Sequence, residues 1–133
     1  MQKILLVEDD IELDELYKLQ FEKAGFEFSY LTNGLEALTK FADMKPDLVL
    51  LDIMLPGTNG LDVLKKIKEN ETTRNIKVVL LSNLPEESAK DKGLALGAED
   101  YLVKSNHTPL EVIEIVQKIL KEGKWILLIL WSN

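Results

Sequence analysis

The chain has 133 residues, the length of a single domain, and its 46% apolar and 29% charged residues are typical of a folded globular protein. Its 23 acidic and 16 basic residues give a formal net charge of −7, which argues against a nucleic-acid or anionic-membrane partner. It has no cysteine and one histidine, which excludes disulfide frameworks, thiolate zinc sites, cysteine nucleophiles and multi-histidine metal sites.

Short apolar runs alternate with amphipathic stretches along the chain. The pattern predicts, in order, strand 4–7, helix 13–24, strand 26–31, helix 35–42, strand 48–51, helix 61–67, strand 78–81, helix 88–96, strand 101–103 and helix 112–120. Continuous apolar runs such as Ile4–Val7 are typical of strands buried on both faces. Five strands alternating with five helices predict right-handed βαβ units and a doubly wound parallel α/β sheet.

Two details of the helices are also predicted. The first helix has an apolar face that contains Leu13, Leu16, Tyr17 and Phe21, which we expect to be buried. The last helix is expected to end at Gly123, because glycine commonly follows the end of a helix.

The residues after the last predicted helix differ from the rest of the chain in composition. We therefore assign a domain to residues 1–122 and an apolar C-terminal tail to residues 123–133. The tail has no polar face between Trp125 and Trp131, and it contains both tryptophans. It could be a frameshift remnant, an added edge strand or a contact for another chain. We favour self-association or a partner contact, because exposed apolar patches of this kind are rarely left free.

The chain shows no sign of a targeting or membrane segment. The apolar run near the N-terminus is too short for a signal peptide. The run from Ile126 to Trp131 is far shorter than the about 20 residues that span a bilayer. We therefore expect a cytoplasmic protein without a membrane span.

Charged and hydroxyl side chains follow the predicted strands at their carboxyl ends, where ligands bind in open α/β sheets. They are Glu8, Asp9 and Asp10 after the first strand, Asp52 after the third, Ser82 after the fourth and Lys104 after the fifth. Two carboxylates about 4 Å apart repel by roughly 4 kcal/mol at an effective dielectric constant of about 20. Several carboxylates at one edge therefore predict a cation, and oxygen ligands suit Mg²⁺.

The other side chains at this edge indicate what the cation would do. A metal, an ammonium and a hydroxyl together describe a site that stabilises a phosphoryl group in transfer. The sequence contains no GxxxxGK[ST] loop, so a nucleotide is not bound in that way. A carboxylate is then the remaining acceptor, and Asp52 is the candidate because it lies on the central strand.

At this point the sequence resembles the receiver domains of two-component response regulators over about residues 3 to 121. The resemblance is carried by four segments in order: Ile4–Asp9, Leu50–Gly60, Val79–Ser82 and Gly97–Lys104. It implies a flavodoxin-like fold with strand order 2-1-3-4-5. It also implies a switch that is phosphorylated by a histidine kinase or phosphotransfer protein and signals to a downstream protein by contact.

The resemblance assigns a role to each matching residue. Asp52 is the phosphoacceptor, and Ser82 and Lys104 bind the phosphoryl group. The Mg²⁺ ligands are Asp9, Asp52, the backbone carbonyl of Met54 and, through water, Glu8. Ser82 and Tyr101 respond to phosphorylation. A domain of this kind catalyses only its own phosphorylation and dephosphorylation, so it is not an enzyme in the usual sense.

The sequence departs from the family pattern after the lysine. Ser105 follows Lys104 where the family usually has proline, so we expect a trans peptide bond. In the family, the residues two positions after the acceptor and after the hydroxyl flank the path of the attacking water. Here they are the apolar Met54 and Leu84, which predicts a slowly hydrolysed acyl phosphate.

Three other functions are alternatives to this one. A docking module that is never phosphorylated would not need the complete set of acids. A flavin-binding electron carrier of the same fold would place its phosphate against Glu8, Asp9 and Asp10, which would repel it. A phosphatase with an aspartate nucleophile commonly has a second aspartate two residues on, where this chain has Met54. Each site residue alone also has a plainer explanation, such as a helix cap for the aspartates.

Overall fold

The computed structural model describes residues 1–83 and 87–132, and within the last helix it describes side chains as far as residue 122. The strands in this part of the chain are β1 Lys3–Val7, β2 Glu27–Leu31, β3 Leu48–Leu51, β4 Met54–Leu55, β5 Thr58–Asn59, β6 Lys77–Ser82 and β7 Asp100–Val103. The helices are α1 Ile11–Lys23, α2 Gly34–Met44, α3 Gly60–Glu69, α4 Glu87–Ala95 and α5 Pro109–Ser132. A 3₁₀ turn at Lys104–Asn106 precedes α5.

Five of the strands form one parallel sheet in the order β2-β1-β3-β6-β7. The short strands β4 and β5 pair with each other in a separate antiparallel hairpin. Counted without the hairpin, the observed order is the predicted 2-1-3-4-5, and the doubly wound flavodoxin-like fold is confirmed. The hairpin itself was not predicted, because strands of two residues are too short to show a periodic pattern.

Two apolar cores lie on opposite faces of the sheet. One contains side chains from α2, α3 and α4, and the other contains side chains from α1 and α5. Strand β1 serves both cores, because Leu5 and Val7 pack in the first and Ile4 and Leu6 in the second. All four side chains are 1% exposed. Burial on both faces explains why the strand is continuously apolar.

The buried face of α1 differs from the predicted one. Its buried residues are Asp14, Tyr17 and Phe21, whereas Leu16 is 44% exposed. The prediction that Leu16 faces the core was therefore wrong. Asp10 is the N-cap of the helix, because its carboxylate accepts a hydrogen bond from the amide of Leu13 at 3.2 Å.

Helix α5 is longer than predicted, because it continues through Gly123 to Ser132. A glycine inside a helix is tolerated at about 1 kcal/mol relative to alanine. The interpretation of the tail as an added edge strand is therefore wrong. The side chains from Trp125 to Trp131 lie outside the described side chains, so self-association through them stays a prediction.

Thr108 and Glu111 form a capping box at the start of α5, since each side chain accepts a hydrogen bond from the backbone amide of the other.

Among the described residues, no helix has both the length and the hydropathy that crossing a bilayer requires.

Candidate functional site

The charged residues that follow three of the strands lie at the same edge of the sheet. Glu8 follows β1, Asp52 follows β3 and Lys104 follows β7, and each stands two residues after a leucine of the α1–α5 core. Those leucines are Leu6, Leu50 and Leu102. Because side chains alternate along a strand, the period of two brings all three charged groups to one side.

The charged groups meet at short distances. Ligand oxygens of Glu8, Asp9 and Asp52 all lie within 4.8 Å of one another. The Lys104 ammonium donates to Glu8 Oε2 at 2.6 Å and to Asp52 Oδ2 at 2.9 Å. Glu8 and Asp52 are buried, whereas Asp9 is exposed. The site is therefore a largely buried acidic cluster that contains the Lys104 ammonium group.

Burial and like charge perturb the titration of this cluster. Burial, followed by the hydrogen bond to Asp52 and the negative charge of Asp52, raises the pKa of Glu8 to about 8 against the opposing effect of Lys104. Burial lowers the pKa of Lys104, but its bonds to Glu8 and Asp52 outweigh burial and leave that pKa raised. One ammonium does not balance three neighbouring carboxylates, so the cluster suits a divalent cation with oxygen ligands. The residues present fit Mg²⁺.

The backbone around Asp52 is held closely. The amide of Met54 donates to Asp52 Oδ1 at 3.2 Å, so both carboxylate oxygens of Asp52 have a donor. The amide of Gly60, at the start of α3, donates to the carbonyl of Ile53 at 2.7 Å. A Cβ at Gly60 would overlap the carbonyl oxygen of Asp52. Glycine is therefore required for α3 to begin against the candidate acceptor.

Two further predicted residues lie on β6, the neighbour of β3, and on β7, the edge strand that pairs with β6. Ser82 ends β6 and is fully buried, and it is in register with Val103, the residue before Lys104. Tyr101 is buried in the core that contains α2, α3 and α4. The Lys104–Ser105 peptide bond is trans, as expected.

Two predictions about the surroundings of the site are not settled by these contacts. The Met54 side chain is 62% exposed, and the role of its carbonyl as a metal ligand stays a prediction. Leu84, predicted to flank the path of water, lies outside the described residues.

Asp14 is a buried acid near the site that the sequence analysis missed. It is 0% exposed, and neither carboxylate oxygen has a hydrogen-bond partner in the described part of the chain. Burial, followed by the charge of Asp10, raises its pKa to about 7, while the charge of Lys104 opposes the rise. The sequence signal is its spacing, because Asp14 stands three residues before Tyr17 and seven before Phe21 on one helix face.

Comparison with known proteins gives the family. Residues 4–119 match the family model for the response regulator receiver domain. The chain is 36% identical over 124 residues to the phosphate regulon transcriptional regulatory protein PhoB of Rhizobium meliloti (strain 1021). The aligned segment covers 93% of this chain and 54% of PhoB. The chain thus spans about half the length of the curated relatives it matches.

Solved structures agree with this match. The BeF3-activated N-terminal receiver domain of RstA from Klebsiella pneumoniae has a TM-score of 0.82 and 32% identity, over 90% of this chain and 99% of that one. The Mn(2+)-bound form of response regulator Rcp1 has a TM-score of 0.76 and 29% identity, over 91% and 93%. The family match covers most of the chain and the fold agrees with it, so this chain belongs to the response regulator receiver domain family.

Proposed function

We propose that this chain is a phosphorylation-dependent signalling switch in which Asp52 accepts a phosphoryl group from a histidine kinase or a phosphotransfer protein. The observation that carries the proposal is the cluster of Glu8, Asp9 and Asp52, whose ligand oxygens lie within 4.8 Å of one another beside the Lys104 ammonium. Three acids and one lysine in this arrangement hold a cation and an anion at the same place.

In the proposed reaction, a carboxylate oxygen of Asp52 attacks the phosphorus of a phosphohistidine. A P–O bond to Asp52 forms as the P–N bond to the donor breaks, and the leaving imidazole nitrogen keeps the electron pair and takes a proton. Lys104 and the Ser82 hydroxyl bind the transferred phosphoryl oxygens. Lys104 is already hydrogen-bonded to Asp52, so its positive charge stands beside the attacking group.

The acidic residues have a separate role. Asp9, Asp52, the carbonyl of Met54 and, through water, Glu8 would hold Mg²⁺. Bound Mg²⁺ supplies positive charge that offsets the negative charge of the phosphoryl oxygens during transfer. The related receiver domains described as BeF3-activated and Mn(2+)-bound support both parts of this proposal, since they concern a small inorganic group and a divalent metal.

The switch would act by protein contact. Relatives such as PhoB are named as transcriptional regulators, but this chain matches only about half their length. With a net charge of −7, it would not contact nucleic acid directly, and its output would be a downstream protein. Ser82 and Tyr101 would respond to phosphorylation. The reaction modifies the protein itself, so we infer no turnover of a free substrate.

Intact-mass spectrometry after incubation with acetyl phosphate and Mg²⁺ tests the proposal. We expect one phosphoryl group on the wild-type chain and none on Asp52→Asn, because the amide is nearly isosteric but not nucleophilic. Asp62→Asn, an exposed aspartate in the first turn of α3, is the matched control and should be modified like the wild type. A phosphoryl group on Asp52→Asn would contradict the assignment. A wild-type chain that gains no mass would favour the docking-module alternative.

A further inference from the structure

The outward face of α1 combines large apolar side chains with acids. Ile11, Leu16 and Leu19 are 59%, 44% and 52% exposed. Three glutamates share this exposed face, and they are Glu12, Glu15 and Glu22. A helix of this kind has the chemistry of a ligand for a groove that is apolar at its floor and basic at its rim.

A groove with that complementary chemistry lies between α3 and α4. Its volume is about 400 Å³, and Leu61, Leu96 and Ala95 supply its apolar surface. Lys65 and Lys92 stand on its two walls, one from each helix, together with Asn59 and Asp62. The groove is therefore apolar inside and carries an exposed lysine on either side, on a chain whose overall charge is negative.

Of the charges that would pair, Glu15 accepts a hydrogen bond from the Tyr30 hydroxyl at 2.6 Å, and Glu22 lies 4.0 Å from Lys18 in an exposed and therefore weak ion pair. Lys65 contacts Glu69 at 3.9 Å with both side chains more than half exposed, a weak pair at best. In the described part of the chain, Lys92 and Glu12 take part in no ion pair. Both therefore can bind an opposite charge on another molecule without first breaking an internal ion pair.

We propose that α1 of one copy docks in the α3–α4 groove of a second copy. Leu19, at the middle of the outward face, would contact the leucines of the groove, and the flanking glutamates would pair with Lys65 and Lys92. The proposal does not depend on the proposed function, since it uses none of the residues of the acidic site.

The position of the two surfaces determines the symmetry of the contact. Helix α1 covers one face of the sheet, whereas α3 and α4 cover the other. The contact is therefore head-to-tail, and in a pair one copy keeps an unused groove while the other keeps an unused α1 surface. Such a contact generates rings or open chains of copies rather than a closed two-fold dimer. Because each copy carries a charge of −7, we expect association only at high concentration.

Sedimentation velocity of the full chain, at concentrations up to about 1 mM, tests the proposal in a range where weak contacts become populated. We expect the wild-type sedimentation coefficient to rise with concentration. Lys65→Glu/Lys92→Glu and Glu12→Lys/Glu22→Lys should each abolish the rise, because like charges then face each other. An equimolar mixture of the two variants should restore it, because every contact between one variant and the other joins opposite charges.

A matched control separates the groove from net charge. Lys66→Glu/Lys90→Glu makes the same charge change on the same two helices at exposed positions that do not line the groove. This variant should still associate. The proposal is overturned by a wild-type chain that stays monomeric, by a groove variant that associates like the wild type or no less than the control, or by a mixture that stays monomeric. Circular dichroism of each variant checks that it is folded.

Discussion

The buried carboxyl group of Asp14 should make the stability of this protein fall as pH rises. In the unfolded chain its pKa is 3.8, and in the folded protein it is about 7, because burial penalises the charged form. Below about pH 4 the group is protonated in both states, so it has no pH-dependent effect. Between about pH 4 and pH 7 the unfolded state releases the proton while the folded state retains it, so the unfolded state is favoured increasingly.

The size of the effect follows from the difference between the two pKa values. At 1.36 kcal/mol per unit, a difference of roughly 3 units corresponds to about 4 kcal/mol by pH 7.5. Asp14→Asn removes the titration. About 1 kcal/mol of this is already present at pH 4.5, so the unfolding free energy of the variant minus that of the wild type should grow by about 3 kcal/mol between pH 4.5 and pH 7.5. Any constant contribution from burying the asparagine amide cancels in this change.

Urea denaturation followed by far-UV circular dichroism, at several pH values, measures the difference directly. Asp62→Asn serves as the control, because Asp62 is an exposed aspartate in the first turn of another helix. Its unfolding free energy should run parallel to that of the wild type. If the Asp14→Asn curve also runs parallel to the wild type over this range, the reasoning about Asp14 is wrong.

Four further substitutions test other features. Gly60→Ala should lower the unfolding free energy by about 2 kcal/mol in urea denaturation, because its Cβ would overlap the Asp52 carbonyl, and an unchanged value would contradict the close contact. Lys45→Gly should raise the free energy of unfolding by about 1 kcal/mol and with it the melting temperature, because Lys45 has a φ of 50°, and a lower melting temperature would argue against backbone strain at this position. Thr108→Ala should remove about 1 kcal/mol of stability with the α5 cap, measured in the same way, and a neutral result would count against the capping box. Met54→Asn should shorten the lifetime of phospho-Asp52, followed by intact mass over time, and decay at the wild-type rate would contradict an effect of Met54 on water.

The sheet and most of the site were predictable from the sequence, for related physical reasons. A strand buried on both faces must be apolar throughout, so runs such as Leu48–Leu51 were conspicuous. Polar groups that end such runs gather at one edge of the sheet, so the meeting of Glu8, Asp52 and Lys104 follows from the sequence. Both inferences depend on local composition and on the sheet being parallel.

The features that were missed depend on contacts that local patterns do not encode. Leu13, Leu16 and Tyr17 suggested one inward face for α1, but the contacts of the helix turn Asp14 inward and leave Leu16 exposed. The extension of α5 through Gly123 was missed because a glycine that ends a helix and a glycine inside one look alike in sequence. In both cases tertiary packing decides between two locally acceptable structures.

The two bonds of Lys104 have a mechanical consequence. In the sheet, β7 is separated from β1 by β6 and β3, so backbone hydrogen bonds connect these strands only through intermediates. The Lys104 side chain links these strands directly. It connects the end of β7 to Glu8, which follows β1 and is 96 positions away in sequence, and to Asp52, which follows β3 and is 52 positions away. A single ammonium group therefore links the edge strand β7 directly to the two central strands β1 and β3. An anion that takes this ammonium away from Glu8 and Asp52 would remove the direct link and leave β7 joined to the centre of the sheet only through its pairing with β6.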